Sequence, residues 1–330
     1  MKDNQTFFIK GNFIYNERLK QSILKNTVSR YFLYFIQSII YKILIFINRI
    51  FFRPNKVFNY KISICGIFKN ESKFLDEWIR YHLVVGVDHF YLYNNNSNDT
   101  FLNVLQPYID KGVVDLIDWP YNHSQMKAYE DCYNKHKNHT NWLAFIDIDE
   151  FICPISKNNL KSWICDFNHY PGVAVYWKNF GSNGKLVHDD EQFVIEQYSQ
   201  CWPKPSTFTK MFCNMNFSIE KFDHMHIINS IVFGIVVPPI NQFKNFIKFG
   251  INRTTISNKS TIQLNHYWGK SFDTFIENKV KRTDAHQNND AKMAEIRLSL
   301  LKPHENMCTT RDYNIQRFLL DTKLLNIQEK

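Results

Sequence analysis

The sequence predicts an α/β fold: a mainly parallel sheet with helices on both faces, preceded by a basic amphipathic helical arm. Three observations carry this. Short apolar runs alternate with helix-periodic segments from residue 61 to 149. The apolar stretch 31–52 gathers its few polar residues on one side of a helical wheel. Charge is divided between the two regions: residues 1–60 carry ten Lys/Arg against Asp3 and Glu17, and the remaining 270 carry 30 basic and 29 acidic side chains.

The arm comes first. Residues 31–52, YFLYFIQSIIYKILIFINRIFF, are long enough to span a bilayer, but Gln37, Ser38, Lys42, Asn48 and Arg49 interrupt them. At ~100° per residue these five, with Arg30, fall in an arc of roughly 140°. A helix with such a basic stripe suits the interface of an anionic membrane. Packing on the rest of the chain, packing on a second copy, and a true span are the alternatives. Arg53-Pro54-Asn55 ends the helix and begins a link. The start of the chain is polar and shows no signal peptide.

The alternating core follows. KISICGIF (61–68) suits a buried strand, and residues 71–86 have helical apolar spacing that stops at Gly86. A second strand is expected at 88–94, then a polar loop whose Asp99 caps a helix running to about Pro107. A third strand (112–119), a third helix (124–137) and a fourth strand (141–149) complete the series. In such sheets ligands bind at the carboxyl ends of the strands. Lys69-Asn70-Glu71, Asn94 to Asp99 and Asp147 to Glu150 all fall there.

WLAFIDIDEF (142–151) drives three carboxylates into a strand end, which favours a bound cation. Asp147 and Asp149 are separated by one residue, so on an extended strand they point to the same side. Oxygen ligands of this kind suit Mn²⁺ or Mg²⁺, ions that also bind substrate phosphates. The bland reading is a strand end with solvated aspartates.

Composition excludes other classes. A chain of 330 residues with 44% hydrophobic and 16% aromatic content builds a sizeable core rather than a disordered tract. The near-balanced charge beyond residue 60 argues against nucleic acid as the partner. Seven cysteines, an odd number without a CxxC, predict free thiols in a reducing cytoplasm. Asn-x-Ser/Thr triplets such as Asn98-Asp99-Thr100 are expected by chance in so Asn-rich a chain.

The blocks CGIFKNESKFLDEWIRYHLVVGVDHFYLYNNNSND, PYIDKGVVDLIDWP, Gln125 with AYEDCY, WLAFIDIDEFICP, YWKNFGSNGK and LNHYWGKSFDTFIENKVKR resemble the glycosyltransferases grouped with family 92. They follow that family's order from about 61 to 282. The resemblance implies a GT-A fold, a nucleotide-sugar donor (usually a uridine diphosphate sugar), and a divalent cation, Mn²⁺ or Mg²⁺, on the diphosphate. It implies metal ligands at Asp147, Asp149 and His266. Asn70, Glu71, Asn94, Asn96, Asp99 and Gln125 would then hold the donor, and Lys270 would neutralise the leaving diphosphate. Asn94 stands where relatives often have Asp, and Lys185 where they have His, which puts nucleoside and acceptor contacts in doubt.

The expected organisation is an arm (1–57), a catalytic domain (58–285) with a nucleotide-sugar half (58–160) and an acceptor half (161–285), and a helical tail (286–330) that looks peripheral after Pro303. Inverting transfer needs a base for the acceptor hydroxyl, and Glu150 and Glu191 are the candidates. His224 and His226 read as acceptor or metal contacts or as structural residues, and Trp177 and Phe180 as sugar platforms or core. The expected setting is the inner face of a cell membrane, with a glycan or lipid-linked glycan acceptor of surface polysaccharide synthesis. Two rival readings are metal-dependent phosphoryl transfer or nuclease work, and a non-catalytic glycan-binding protein on the same fold.

Overall fold

The computed structural model describes residues 27–51, 56–222, 224, 226–247, 260–281 and 290–325. The first 26 residues of the arm, the Arg53-Pro54-Asn55 link and the expected boundary at 285 lie outside them. The arm is helix α1 (Thr27–Phe51). The core then alternates as expected: β1 (Tyr60–Phe68), α2 (Ser72–Val84), β2 (His89–Asn94), α3 (Phe101–Asp110), β3 (Val114–Asp118), α4 (Gln125–His136) and β4 (Thr140–Phe145). Later strands are β5 (Glu150–Pro154), β6 (Gly172–Asn179), β7 (Thr209–Asn214), β8 (Ile240–Asn241) and β9 (Ile262–His266).

These strands form one sheet in the order β3-β2-β1-β4-β7-β6-β9-β5, with β8 beside β6. β1 to β4 are mutually parallel, β7 is antiparallel to both β4 and β6, β9 runs parallel to β6, and β5 is antiparallel to β9. It is the mixed, mainly parallel, helix-flanked sheet expected of a GT-A fold. The two expected halves share it, because β7 is inserted between β4 and β6. The consequence for function is geometric. The carboxyl ends of β1, β2, β3, β4, β6 and β9 and the amino ends of β5 and β7 all lie on one rim.

Apolar side chains fill both faces of this sheet. Trp78, Tyr81 and Phe90 pack with Phe151 and Trp163 on one face, and Tyr91, Tyr129 and Phe145 with Met211 and Cys213 on the other. Strand residues buried on both faces explain why β1 and β4 read as continuous apolar runs. All seven cysteines are free.

Three expectations change. β4 ends at Phe145 rather than at 149, because Asp147 to Glu150 form a turn closed by Glu150 N–H on the Asp147 carbonyl. Asp99 caps α2 rather than α3: its carboxylate accepts from Ser72 N–H at 2.8 Å. The tail is not peripheral. A helix α5 (Asp290–Met307) runs through Pro303, and His304, Ile315 and Phe318 beyond it are buried. Glu305 accepts from the backbone N–H and hydroxyl of Ser182, and His304 bonds the Phe180 carbonyl. The tail therefore braces the FGSNGK loop that follows β6.

Candidate active site

The turn after β4 lies at the middle of the rim. Asp147 Oδ1 accepts from Gln125 Nε2 at 2.9 Å and Tyr129 OH at 3.2 Å, both on α4. Its Oδ2 accepts from Lys210 Nζ at 2.8 Å. Lys210 opens β7, is fully buried, and lies 3.8 Å from Glu150 Oε1. Burial works against its charge, but Asp147 and Glu150 raise its pKa beyond the ordinary lysine value. A buried ammonium is stable here because the Asp147 carboxylate bonds it, with Glu150 close by.

Asp149 has different partners. Lys279 Nζ sits 2.5 Å from Asp149 Oδ2, and His266 Nε2 lies 3.7 Å from the same oxygen. Burial pushes the Asp149 pKa up, but Lys279, His266 and Lys270 outweigh it and hold the carboxyl well below its usual range. His266 closes β9, donates or accepts at Asn179 (3.2 Å) and packs at a tilt against Trp177, ring centroids 4.1 Å apart. Burial lowers its pKa, Asp149 opposing in part.

The two aspartates therefore do not share partners in this arrangement. The expectation that they face one side assumed an extended strand, and the turn removes that condition. Among the described residues no group of three or more His, Cys, Asp or Glu is arranged to hold a metal. Asp149 and His266 still fit a hard divalent ion: an oxygen and a nitrogen converge, and an ammonium already occupies the carboxylate.

Glu150 is placed as a brace, not as a base open to an acceptor. It is fully buried, one oxygen accepts from Asp147 N–H at 2.9 Å, and the other has no hydrogen bond. Burial, with Asp147 and Asp149 nearby, raises its pKa well above the carboxylate norm despite Lys210. Glu191 lies elsewhere, exposed on a loop where its N–H bonds Asp189 at 3.1 Å.

The first two loops are tied to each other. Asn70 N–H bonds Ser97 Oγ, and Asn70 Oδ1 accepts from Asn98 N–H at 2.9 Å. Asn94 bonds Asp118 at 3.2 Å across the strand ends and accepts from Ser97 N–H. Asn96 is exposed at the loop tip. Asn70, Asn96 and Lys270 have φ of 53°, 55° and 42°, left-handed backbone that asparagine tolerates and lysine resists. Glu71 precedes α2 and accepts from Asn278 at 3.1 Å, on the same turn as Lys279. Lys270 is buried, its Nζ 4.1 Å above the Phe74 ring.

Other candidates resolve as structure. His226 bonds the Thr209 carbonyl at 2.8 Å and packs on Trp177, beneath the rim. Its amide N–H bonds His224 Nδ1 at 3.1 Å. Phe180 is fully buried against Tyr267, so it is core; Trp177 is half-buried beside His266. Lys185 is tied to Gln197 at 2.8 Å.

Sequence reasoning missed Lys210, Lys279 and Tyr129. Lys210 left a visible signal: one cation alone in the apolar run of TKMFC. Lys279 left none, being one of three basic residues in ENKVKR.

Comparison with known proteins agrees with this picture. A glycosyltransferase family 92 protein of Ricinus communis is 30% identical over 145 residues, 42% of this chain and 26% of that protein. A longer alignment to the same protein gives 23% over 242 residues, 70% of this chain and 39% of the relative. The chain thus spans less than half the length of that relative. A β-1,4-galactosyltransferase of Caenorhabditis elegans, galt-1, is 29% identical over 115 residues, 31% of this chain and 27% of its own. The solved structure of S. aureus TarS 1-349 covers 46% of this chain and 47% of that one, at 14% identity and a TM-score of 0.31, too slight a likeness to argue from. The model of the family described as "Glycosyltransferase family 92" matches residues 59–300, most of the sheet and every rim residue named above, and the chain belongs to that family.

Proposed function

We propose that the chain transfers a sugar from a nucleotide donor, of the uridine diphosphate class, to a hydroxyl of a glycan or lipid-linked glycan. The observation that carries this is the convergence of eight strand ends on one rim, centred on a turn of three acids faced by Lys210, Lys279 and His266. The relatives named as galactosyltransferases support a hexosyl group.

Leaving-group departure gathers negative charge on the diphosphate, and a preorganised positive site lowers that barrier. Asp149 and His266 would hold the divalent ion, Mn²⁺ or Mg²⁺, which supplies Lewis-acid stabilisation of the diphosphate when bound. The chain's own groups do the rest. Lys279 and Lys270 lie against Asp149 and Phe74, on the segment that follows β9. Gln125 and Tyr129 fix one oxygen of Asp147 and Lys210 fixes the other, so this carboxylate is oriented before any ligand arrives. The loops tied by Asn70, Asn94 and Asp99 give the nucleoside a rigid wall, with Asn96 at its exposed tip. If the centre inverts, Glu191 is the candidate that solvent reaches, whereas Glu150 is enclosed.

The test is diphosphate release from individual nucleotide sugars, with Mn²⁺ and with chelator. Metal-stimulated release with one sugar is expected. Cleavage of nucleic acid, or sugar binding without turnover, would instead support the phosphoryl-transfer and glycan-binding readings.

A further inference from the structure

The arm helix turns part of its polar stripe, not its apolar face, toward the domain. Asn48 is buried and donates to the His169 carbonyl at 3.0 Å; Ile45 is buried beside it, and Tyr41 packs on Phe246 at 5.1 Å. Part of the polar stripe is therefore spent on the domain. What remains outward is apolar: ten large hydrophobic side chains between Phe32 and Phe51 are exposed, Phe35 by 60%, Ile43 by 52% and Phe46 by 64% among them. At ~100° per residue they cover an unbroken arc of roughly 160° along the helix. A monomer in water rarely leaves so large a continuous apolar face open.

Charge selects the occupant. α1 contains Arg30, Lys42 and Arg49 and no acid. Lys42 and Arg49 are exposed and border the apolar arc on one side. A second copy laid antiparallel on this face would set cation against cation. An anionic lipid surface would meet both features, with hydrocarbon under the apolar arc and headgroups on the lysine and arginine. No described helix is long and apolar enough to cross a membrane.

We propose that α1 lies flat in the interface of an anionic membrane, apolar arc down, with its rotation about its own axis fixed by Asn48. The free thiols favour the cytoplasmic side for this attachment. α1 docks where β6 begins, beside His169, and the candidate site lies where β6 ends, at Asn179. At ~3.3 Å per residue the strand separates the two by about 23 Å. Membrane attachment and sugar chemistry are then separable properties, and vesicle binding needs no substrate.

The experiment is co-sedimentation of the full chain with phosphatidylcholine vesicles, with and without phosphatidylglycerol, alongside light scattering. The chain should bind the anionic vesicles. Ile43→Asp and Phe46→Asp should each cut binding at least tenfold, and Lys42→Gln and Arg49→Gln roughly fivefold each on anionic vesicles only. Thermal unfolding and diphosphate release with a soluble acceptor should stay unchanged in all four, which shows the domain is folded. Vesicle binding indifferent to Ile43→Asp and Phe46→Asp overturns the proposal. So does a dimer that those variants split while wild type ignores vesicles, since a second copy is then the occupant.

Discussion

The rim and the arm break the ordinary rule of protein interiors in opposite directions. At the rim, Asp149, Glu150 and Lys210 are charged or chargeable groups with almost no exposure; on the arm, large hydrocarbon side chains face out. Both arrangements cost free energy in isolation, and both become favourable when a partner of the right kind is present. They differ in how the cost is carried meanwhile. The rim compensates internally, acid against lysine, at 2.8 Å for Asp147 and 2.5 Å for Asp149. The arm is compensated only on the side that meets the domain, through Asn48, Ile45 and Tyr41, and its outward apolar arc is not. Unpaired charge in a low dielectric is far costlier than exposed hydrocarbon, so the rim must be nearly self-sufficient and the arm need not be.

The strongest way to break that contrast is to remove the acid that has both a lysine and a histidine. Asp149→Ala should lower diphosphate release by about 10³-fold. The fold should survive, because Lys279 is close enough to solvent to swing out. Retained turnover in Asp149→Ala, with an unchanged unfolding midpoint, would falsify the role of this carboxylate at the donor. The arm should be indifferent: vesicle binding by the variant should equal wild type.

Next in size is the buried cation. Lys210→Met leaves the Asp147 carboxylate without its positive partner, beside a Glu150 whose pKa burial already raises, and should cost about 3–5 kcal/mol of stability. Adding Asp147→Asn to Lys210→Met should restore part of that loss, since the uncompensated carboxylate is then neutral. Denaturant unfolding of wild type and the two variants measures it. A double variant no better than the single would show that the rim's charges are not one compensated set.

A further carboxylate, behind the rim, sharpens the picture through pH. Glu77 on α2 is buried and caps the backbone N–H groups of Val194 and Ile195. Burial pushes its pKa up to about 7 from 4.5, against the pull of those two amides and Lys270. The folded chain then holds a proton that the unfolded chain releases, so this contribution is complete below pH 4.5 and is lost as pH rises to about 7. The span corresponds to about 3 kcal/mol. Glu77→Gln should flatten the fall in unfolding free energy across that window. An unchanged slope would mean Glu77 ionises normally despite its burial.

How much of this was legible in sequence depends on whether the signal was local. β1 to β4 and the helices between them are local patterns, apolar runs and 3.6-residue periods, and they stand where those patterns put them. The topology then brought Asn70, Asn94, Asp147 and His266 to one rim without any local contact among them. What failed was side-chain direction. Asp147 and Asp149 alternate as on a strand, but the chain turns there, and the turn is closed by Glu150, whose role as a brace no spacing reveals. The fate of the basic stripe was also unreadable. Whether Asn48 meets solvent or the His169 carbonyl depends on a neighbour 121 residues away. The tail's grip on Ser182 was hidden for the same reason, since Glu305 reads as one more surface acid.

The smallest expected effect tests the arm's hydrogen-bonded tether. Asn48→Ala removes a buried donor and leaves the His169 carbonyl without that partner, a cost of about 1–2 kcal/mol. The loss falls on the docking of α1 rather than on the sheet, because the Asn48 bond is made to His169, just before β6 begins. Thermal unfolding of the core should therefore barely move, while protease cleavage between α1 and β1 should quicken several-fold. Vesicle binding should persist, since the apolar arc is intact, and anionic vesicles should protect the chain from that cleavage. If the core midpoint falls as far as in Lys210→Met, the arm is part of the core, and the contrast between an internally compensated rim and a loosely tethered arm is gone.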